Sequence, residues 1–164
     1  MTVLRTQRLL LRPATMDDVD AFCDILSDAR AMRFWSTPPH ASKVETIKWV
    51  ANMVAMKDEG TDFVWECRGR VIGKGGAYAM PEVGFILHPE FWGKGFAREA
   101  MEAIIPYLFA LTDTPALTAD VDPDNAASIS LLASLGFKET HRAKNTFCIN
   151  GVWVHSVYFA LPRG

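Results

Sequence analysis

The sequence lacks several features on which other classes of protein depend. It has three cysteines and four histidines in 164 residues, and they do not occur at the close, repeated spacing that zinc sites require. No run of about 18 apolar residues is present, as a membrane span would need. An excess of basic residues is also missing, since the formal net charge is −2, and this argues against a nucleic-acid-binding domain. We therefore predict no metal site, no membrane association and no nucleic-acid partner.

The three cysteines are Cys23, Cys67 and Cys148, and each falls within an apolar helix or strand pattern. Buried free thiols are common in such patterns, and an odd number leaves at least one thiol unpaired. The N-terminus also lacks the pattern of a signal peptide. Together these features predict reduced thiols and a cytoplasmic location. The length suits one domain, residues 1–164, which could bury roughly 70% of its unfolded surface.

The most informative stretch is a short apolar strand that ends before Pro89 and leads into a helix through a turn containing Gly93 and Gly95. Glycine permits positive φ and a close approach of the backbone to a ligand. The first turn of a helix also has unpaired N–H donors and the positive end of the helix dipole, so this order favours a phosphate group. Neither a P-loop nor the third glycine or alanine of a dinucleotide-binding turn is present.

The stretch 83–97, VGFILHPEFWGKGFA, is followed by DPDNAAS at 122–128 and by LGF at 135–137. These three motifs, in this order, resemble the GNAT superfamily of acyl-CoA N-acyltransferases, in the branch typified by the ribosomal-protein acetyltransferases RimJ and RimL. The opening RLLLRP at 8–13 is also typical. The resemblance implies transfer of an acetyl group from acetyl-CoA to a primary amine by direct attack in a ternary complex, without a metal. A CoA-binding module without turnover is the alternative, and a homodimer is left open.

The resemblance also implies where CoA would bind. It assigns the diphosphate to the glycine turn and the helix start, and the pantetheine and the reaction oxyanion to the backbone N–H groups of Leu87 and His88. Asn125 would contact the cofactor arm; the alternative is that Asn125 and Ser128 serve only to cap their own helix. The predicted cofactor-binding residues are Ile86, Leu87, His88, Gly93, Lys94, Gly95, Phe96, Ala97, Arg98, Asn125 and Ser128.

The reaction needs an acceptor for the amine proton and a donor for the departing thiolate. Glu82, at the start of the central strand, is the first candidate base, and His88 is the second because histidine has a suitable pKa. Many relatives have a tyrosine as the acid where this chain has Leu132, which cannot donate a proton, so Ser128 and water are the candidates. The predicted acceptor-binding residues are Trp35 and Glu82. The alternatives are that Trp35 covers the core and that Glu82 is a solvated charge.

The hydrophobic pattern predicts an α/β fold with a single mixed, mostly antiparallel sheet of about seven strands and helices on both faces. The fourth and fifth strands should run parallel, since a helix connects them, and a ligand should bind where they part. The resemblance implies the same V-shaped opening. We predict strands over 8–13, 61–67, 70–79, 82–88, 116–121, 138–149 and 152–161. Close packing or β-bulges account better than a phosphate loop for Gly73, Gly75 and Gly76.

Four helices are predicted. The first follows Thr15, the second runs from a Ser42–Glu45 capping box to Gly60, the third follows Gly95 and the fourth follows Asp124 or Asn125. The third should bury a stripe that includes Ala97 and Leu111, and Pro106 should kink it or end it early. The fourth should direct Ile129, Leu132 and Ala133 inward. The Asn150–Gly151 hairpin turn should place His155 opposite Thr146 and His141 opposite Ala160.

Overall fold

A computed structural model describes residues 2–164, so Met1 of the predicted domain lies outside the described residues. The described chain forms one eight-stranded sheet and four α-helices, which confirms the predicted α/β class, and Leu4–Arg5 adds a strand to the seven expected. The strands are β1 (Leu4–Arg5), β2 (Leu10–Arg12), β3 (Asp62–Cys67), β4 (Arg70–Ala79), β5 (Glu82–Leu87), β6 (Ala116–Val121), β7 (Lys138–Ile149) and β8 (Val152–Pro162). The helices are α1 (Val19–Leu26), α2 (Lys43–Ala55), α3 (Phe96–Leu111) and α4 (Ala126–Ser134).

The sheet is antiparallel except at one pair of strands. Its order is β1-β2-β3-β4-β5-β6-β8-β7, and β5 and β6 are the parallel pair, connected by α3. These two strands pair only at Glu82 and Thr118, where the Thr118 N–H donates to the Pro81 carbonyl at 2.9 Å. Beyond this point they part. The predicted V-shaped opening between the fourth and fifth predicted strands is therefore confirmed.

Helices cover both faces of the sheet because successive strand residues point to opposite sides. On one side α3 packs over a core that includes Phe63, Trp65 and Leu117. On the other side α1 and α2 pack over a second core that includes Val64 and Ile86. Among residues 2–164, no helix has both the length and the apolar character needed to cross a lipid bilayer.

Close packing explains two of the glycines of β4. A β-carbon on Gly73 would lie 2.2 Å from the carbonyl oxygen of Ile86, and one on Gly75 would lie 2.4 Å from a ring carbon of Trp65. The register between β4 and β5 also shifts after Gly76. Both parts of the prediction, packing and a bulge, are confirmed.

The first two helices begin differently from the predictions. Thr15 caps a 3₁₀ turn, Met16–Asp18, which leads into α1. Ser42 precedes α2, but the predicted capping box is wrong, because the Glu45 carboxylate accepts from the N–H of Ala41 instead, at 2.8 Å. The second helix ends at Ala55, and Gly60 ends a separate 3₁₀ turn.

The predicted early end of the third helix is also wrong, since α3 continues through Pro106. Pro106 faces solvent between the buried residues Ile105 and Leu108, so water can hydrate the carbonyl that loses its partner while the buried side holds the helix together. The buried stripe ends at Leu108, and Leu111 is exposed. In α4, Leu132 is fully buried and Ile129 packs against the core, but Ala133 is exposed rather than inward.

The terminal hairpin forms at the predicted turn, where Asn150 and Gly151 have φ of +50° and +79°. The register holds from Ile149–Val152 to Phe147–Val154 and then shifts twice, between Phe147 and Ala143 and between His141 and Glu139. As a result the predicted opposition of His141 and Ala160 is wrong: His141 lies opposite Tyr158 and stacks on its ring. His155 is opposite the bulge at 144–146, which includes its predicted partner Thr146, and its Nδ1 accepts from the Asn145 N–H at 2.9 Å.

Candidate active site

The opening between β5 and β6 exposes one edge of β5. The His88 N–H donates to the Ile72 carbonyl at 2.7 Å, and Ile86 pairs with Lys74, so alternate residues of β5 direct their N–H groups to β4. The N–H groups of Phe85 and Leu87 therefore face β6, from which β5 has already parted. The predicted use of the His88 N–H as an oxyanion donor is wrong, because β4 already occupies that group.

The glycine turn after β5 leaves a series of backbone donors free. Gly93 and Gly95 have φ of +70° and +79°, which only glycine adopts readily. Within residues 2–164, no hydrogen-bond acceptor is found for the backbone N–H of any residue from 93 to 98. The first N–H with a partner in this part of α3 belongs to Glu99, which donates to the Gly95 carbonyl at 3.0 Å. Six consecutive donors thus meet the positive end of the α3 dipole.

Arg8 fixes this turn from the opposite side. Its guanidinium donates to the Lys94 carbonyl at 2.9 Å and to Glu99 at 2.6 Å, and it lies 4.1 Å from the centre of the Phe96 ring. The Thr6 hydroxyl donates to the same carboxylate at 2.6 Å. Burial alone would raise the pKa of Glu99, but the hydrogen bonds from Thr6 and Arg8 lower it, so the carboxylate stays charged.

A cavity of about 540 Å³ lies between the turn, the free edge of β5 and the N-terminus of α4. All the predicted cofactor-binding residues line it except His88 and Lys94. Lys94 lines a different cavity, where its ammonium lies 5.7 Å from the centre of the Phe91 ring, so the structure does not bring this predicted cofactor-binding side chain to the main cavity. Arg98 lines the main cavity and donates to Glu102 at 2.8 Å.

The N-terminus of α4 reaches the same cavity. Asn125 is the N-cap, as predicted, and its side-chain oxygen accepts from the Ser128 N–H at 3.2 Å. Neither the side-chain NH₂ of Asn125 nor the Ser128 hydroxyl has a partner in the described part of the chain. Both groups line the cavity, so capping uses only part of their hydrogen-bonding capacity. Leu132 is fully buried in the core.

A second cavity, of about 400 Å³, lies on the other side of the opening. It shares the wall formed by Arg33, Phe34 and Trp35 with the first cavity. Glu82 lines only the second cavity, together with Asp120 and Asp122 of β6 and the segment after it. Trp35 and Glu82, the two residues predicted to bind the acceptor, are thus brought to one cavity.

Two carboxylates at this second cavity have raised pKa values. Burial raises the pKa of Glu82, and the charge of Asp120 raises it further. Burial also raises the pKa of Asp120, against a hydrogen bond from Ser156 that lowers it. The Tyr78 hydroxyl donates to Glu82. A carboxylate whose pKa is raised toward neutrality, beside a cavity, is suited to accept a proton.

The second candidate base does not meet either cavity. The Nδ1 of His88 accepts from the Glu90 N–H at 3.1 Å, and the ring packs edge-on against Phe91. Among the described residues that line the two cavities, His88 is not found. Its side chain caps the turn after β5, and the predicted catalytic role of His88 is therefore wrong on geometric grounds.

A family model described as an acetyltransferase (GNAT) domain matches residues 8–138. The chain belongs to the GNAT acetyltransferase family. This GNAT protein is 30% identical over 149 residues to the uncharacterized N-acetyltransferase p20 of Bacillus licheniformis, with 85% of this chain and 84% of that protein covered. It is 27% identical over 153 residues to the spermidine N(1)-acetyltransferase of Escherichia coli K12, with 90% and 82% covered. The sequence-based recognition of the family and of the enzyme class, an N-acetyltransferase, is confirmed.

Solved structures agree on the fold of the GNAT protein. One is the ribosomal L7/L12 alpha-N-protein acetyltransferase RimL in complex with coenzyme A, with a TM-score of 0.85 over 98% of each chain at 20% identity. The corresponding enzyme of Salmonella typhimurium gives a TM-score of 0.87 at 19% identity, over 99% of this chain and 100% of that one. At this level of identity the likeness establishes the shared fold.

Several residues of the two cavities were not found from the sequence. Arg30 and Arg33 line the first cavity, and Tyr78 and Asp120 line the second. Asp120 is four positions beyond the start of a predicted strand, and only the pairing of Glu82 with Thr118 brings it near Glu82. The one available signal in the sequence for these binding residues was the presence of two arginines, Arg30 and Arg33, next to an aromatic loop, since such loops often carry binding residues.

Proposed function

We propose that this acetyltransferase moves the acetyl group of acetyl-CoA to a primary amine in a ternary complex, with each substrate in one of the two cavities. The observation that carries this proposal is the series of six free amides, 93–98, beside the free edge of β5. The amides would hold the diphosphate, and Arg98 would add positive charge. Ile86, Phe96 and Ala97 would line the path of the cofactor.

The pantetheine would lie along the free edge of β5. Its amides can pair with the exposed backbone groups of Phe85 and Leu87 as an added strand does. The Leu87 N–H would then donate to the oxyanion when the amine nitrogen attacks the thioester carbonyl. The Trp92 indole donates to the Leu87 carbonyl at 2.8 Å, which would keep this strand end in place. Asn125 would direct its free NH₂ to the cofactor arm.

The acceptor would enter from the second cavity, past Trp35. Attack forms the C–N bond, and Glu82 accepts the proton that the amine nitrogen loses. When the C–S bond breaks, the thiolate takes a proton from Ser128 or from water. The raised pKa of Glu82 supports its role as the base. One relative is a spermidine N(1)-acetyltransferase and another is a ribosomal protein uS5-alanine N-acetyltransferase, so family membership alone leaves the acceptor open.

Thiol release from acetyl-CoA in the presence of a panel of amines tests the function, with mass spectrometry of the products. We expect release of the CoA thiol together with an acceptor that is about 42 mass units heavier. This is the net gain of C₂H₂O when an acetyl group replaces one hydrogen of the amine. A protein that binds CoA and releases no thiol with any amine would instead be a CoA-binding module without turnover.

Substitution at Gly95 tests the amide site separately. Gly95→Asp places a negative charge among the donors, and we expect CoA affinity to fall by roughly tenfold or more. Gly151→Asp is the matched control, since Gly151 has the same φ of +79° and nothing within 4 Å of its β-carbon position. Gly95→Asn adds a similar side chain without the charge. Equal affinity for CoA in the wild-type and Gly95→Asp proteins would contradict the assignment.

The cytoplasmic location and the homodimer remain parts of the prediction. The three cysteines are free thiols, which is consistent with a reducing compartment. Sedimentation analysis of the purified protein with and without CoA would determine how many copies associate.

A further inference from the structure

Within residues 2–164, the carboxylates of the second cavity have no basic partner. Glu82 accepts from Tyr78, Asp120 from Ser156, and Asp122 from the Asp124 N–H at 2.8 Å. In the described chain, none of these three carboxylates forms a salt bridge. The cavity therefore collects negative charge that the fold itself leaves uncompensated.

The positive groups at the same cavity do not cancel this charge. Lys74 is nearly buried and already pairs with Asp62 at 2.5 Å. Arg33 is in the wall shared with the CoA cavity, with its guanidinium 4.9 Å from the centre of the Phe34 ring. His155 uses Nδ1 to accept a hydrogen bond from Asn145. Three carboxylates thus face one unpaired guanidinium at the cavity wall.

The fold maintains this charge at a cost. Desolvation destabilises a charged carboxylate, and two like charges near each other destabilise both. A compensating cation would relieve both effects, and organic cations are favoured over a metal here, since no group of three or more metal-type ligands occurs among residues 2–164. The cavity walls also include aromatic rings from Trp35, Trp49 and Tyr78, which attract cationic ligands and cover alkyl chains.

The attacking amine alone cannot provide that compensation. It must be neutral to attack, and its proton ends on Glu82, which neutralises one carboxylate. This proton transfer leaves Asp120 and Asp122, which line the same cavity, without a cationic partner. We propose that the acceptor carries a second, permanent ammonium group, as an alkyl diamine or polyamine does, and that Asp120 and Asp122 bind it. This rests on the proposed function, because it takes the second cavity to be the acceptor site.

A set of acceptors matched in length tests the proposal. The probes are 1,4-diaminobutane, butylamine and 4-aminobutyrate, which place a positive, a neutral and a negative group at the far end of one chain. We expect kcat/KM for the diamine to exceed that for butylamine by roughly tenfold or more, and 4-aminobutyrate to be the poorest. Added salt should lower the rate with the diamine more than the rate with butylamine.

Variants then identify the residues. Asp120→Asn and Asp122→Asn should each reduce the ratio of kcat/KM for the diamine to that for butylamine, mainly through KM. The ratio is the useful quantity because any change in Glu82 affects both amines. Asp113→Asn is the control, since Asp113 is an exposed acid on the segment before β6 and loses the same charge without lining the cavity. The ratio should stay at the wild-type value in this control.

Binding of the same amines to the CoA-loaded protein, measured by calorimetry, separates two kinds of failure. Selective binding of the diamine that Asp120→Asn abolishes, without thiol release, would uphold this recognition and overturn the proposed function. Thiol release at equal kcat/KM with diamine and butylamine would uphold the function and overturn the inference. A diamine preference that neither Asp120→Asn nor Asp122→Asn reduces would overturn it as well.

Discussion

Glu82 and Asp120 face the same cavity because of where the parallel strands pair. Glu82 is opposite Thr118, and Asp120 follows two positions later, so both side chains lie on one face of the sheet. The backbone motif of the proposed CoA site could be recognised from a continuous stretch of sequence. On the proposed acceptor side Trp35 and Glu82 could be predicted, but Asp120 could not, because it comes near Glu82 only through the register between β5 and β6.

The raised pKa of Glu82 predicts a specific pH dependence. Glu82 must be ionised to accept a proton, so kcat/KM should show an acid limb above the ordinary glutamate value of 4.5, in addition to the limb from ionisation of the amine itself. Asp120→Asn removes the smaller cause of the shift, and the limb should move to lower pH. Burial is the larger cause of the raised pKa, and it remains in this variant.

Full pH profiles of kcat/KM for the wild type and for Asp120→Asn measure the position of this limb. An unmoved limb in Asp120→Asn would mean that the two carboxylates do not interact, and a limb that persists in Glu82→Gln would exclude Glu82 as the base.

At the scale of elements, the sequence predicted the position of most helices and strands but fewer of their ends and registers. The α3 helix passes Pro106 because the residues around it are buried on the other side of the helix, which local propensity does not include. The register of the β7–β8 hairpin changes at two bulges, and no glycine or proline marks them in the sequence. Tertiary packing and irregular pairing account for both differences.

Because β4 packs closely against β3 and β5, we expect the addition of a single methyl group at Gly75 to lower the stability of the protein. A β-carbon on Gly75 would overlap the Trp65 ring and the β-carbon of Phe85. Trp65 is fully buried and cannot move aside easily, so Gly75→Ala should destabilise the protein by about 1–3 kcal/mol. Gly84→Ala on the adjacent strand is the control, since its β-carbon would meet Tyr78 at an ordinary 3.6 Å. Urea unfolding measures both. Equal stability of the two variants would show that the space at Gly75 is not limiting.

We expect Arg8, in the N-terminal segment, to affect CoA binding although it lies outside the cavity. Arg8 connects the Lys94 carbonyl to Glu99, and without it the glycine turn should lose order and the CoA affinity should fall by several-fold, roughly 1 kcal/mol. Arg8→Lys should not restore the affinity, because an ammonium cannot make this forked contact. Arg5→Ala, on the exposed β1 strand, is the control. CoA titrations that give one affinity for wild type and Arg8→Ala would contradict a positioning role.

At the scale of the whole molecule, the sheet consists of two halves that meet at β5 and β6, which pair with each other only at Glu82 and Thr118. Helices cover both faces of the β1–β5 half. In the β6–β8–β7 half, no helix covers the face on which Asp120 lies. The two cavities meet at the opening between the halves. The sequence predicted this opening because the crossover helix requires parallel strands and the ends of such strands separate at a ligand site.

We expect the amides of residues 93–98 to bind the diphosphate of CoA and the free edge of β5 to bind its pantetheine. Backbone ¹H–¹⁵N spectra with CoA, with inorganic pyrophosphate and with pantetheine test it directly. CoA should shift the resonances of both regions, pyrophosphate those of 93–98 alone, and pantetheine those of Phe85 and Leu87 alone. Resonances of 93–98 that stay unchanged at saturating CoA would contradict the account.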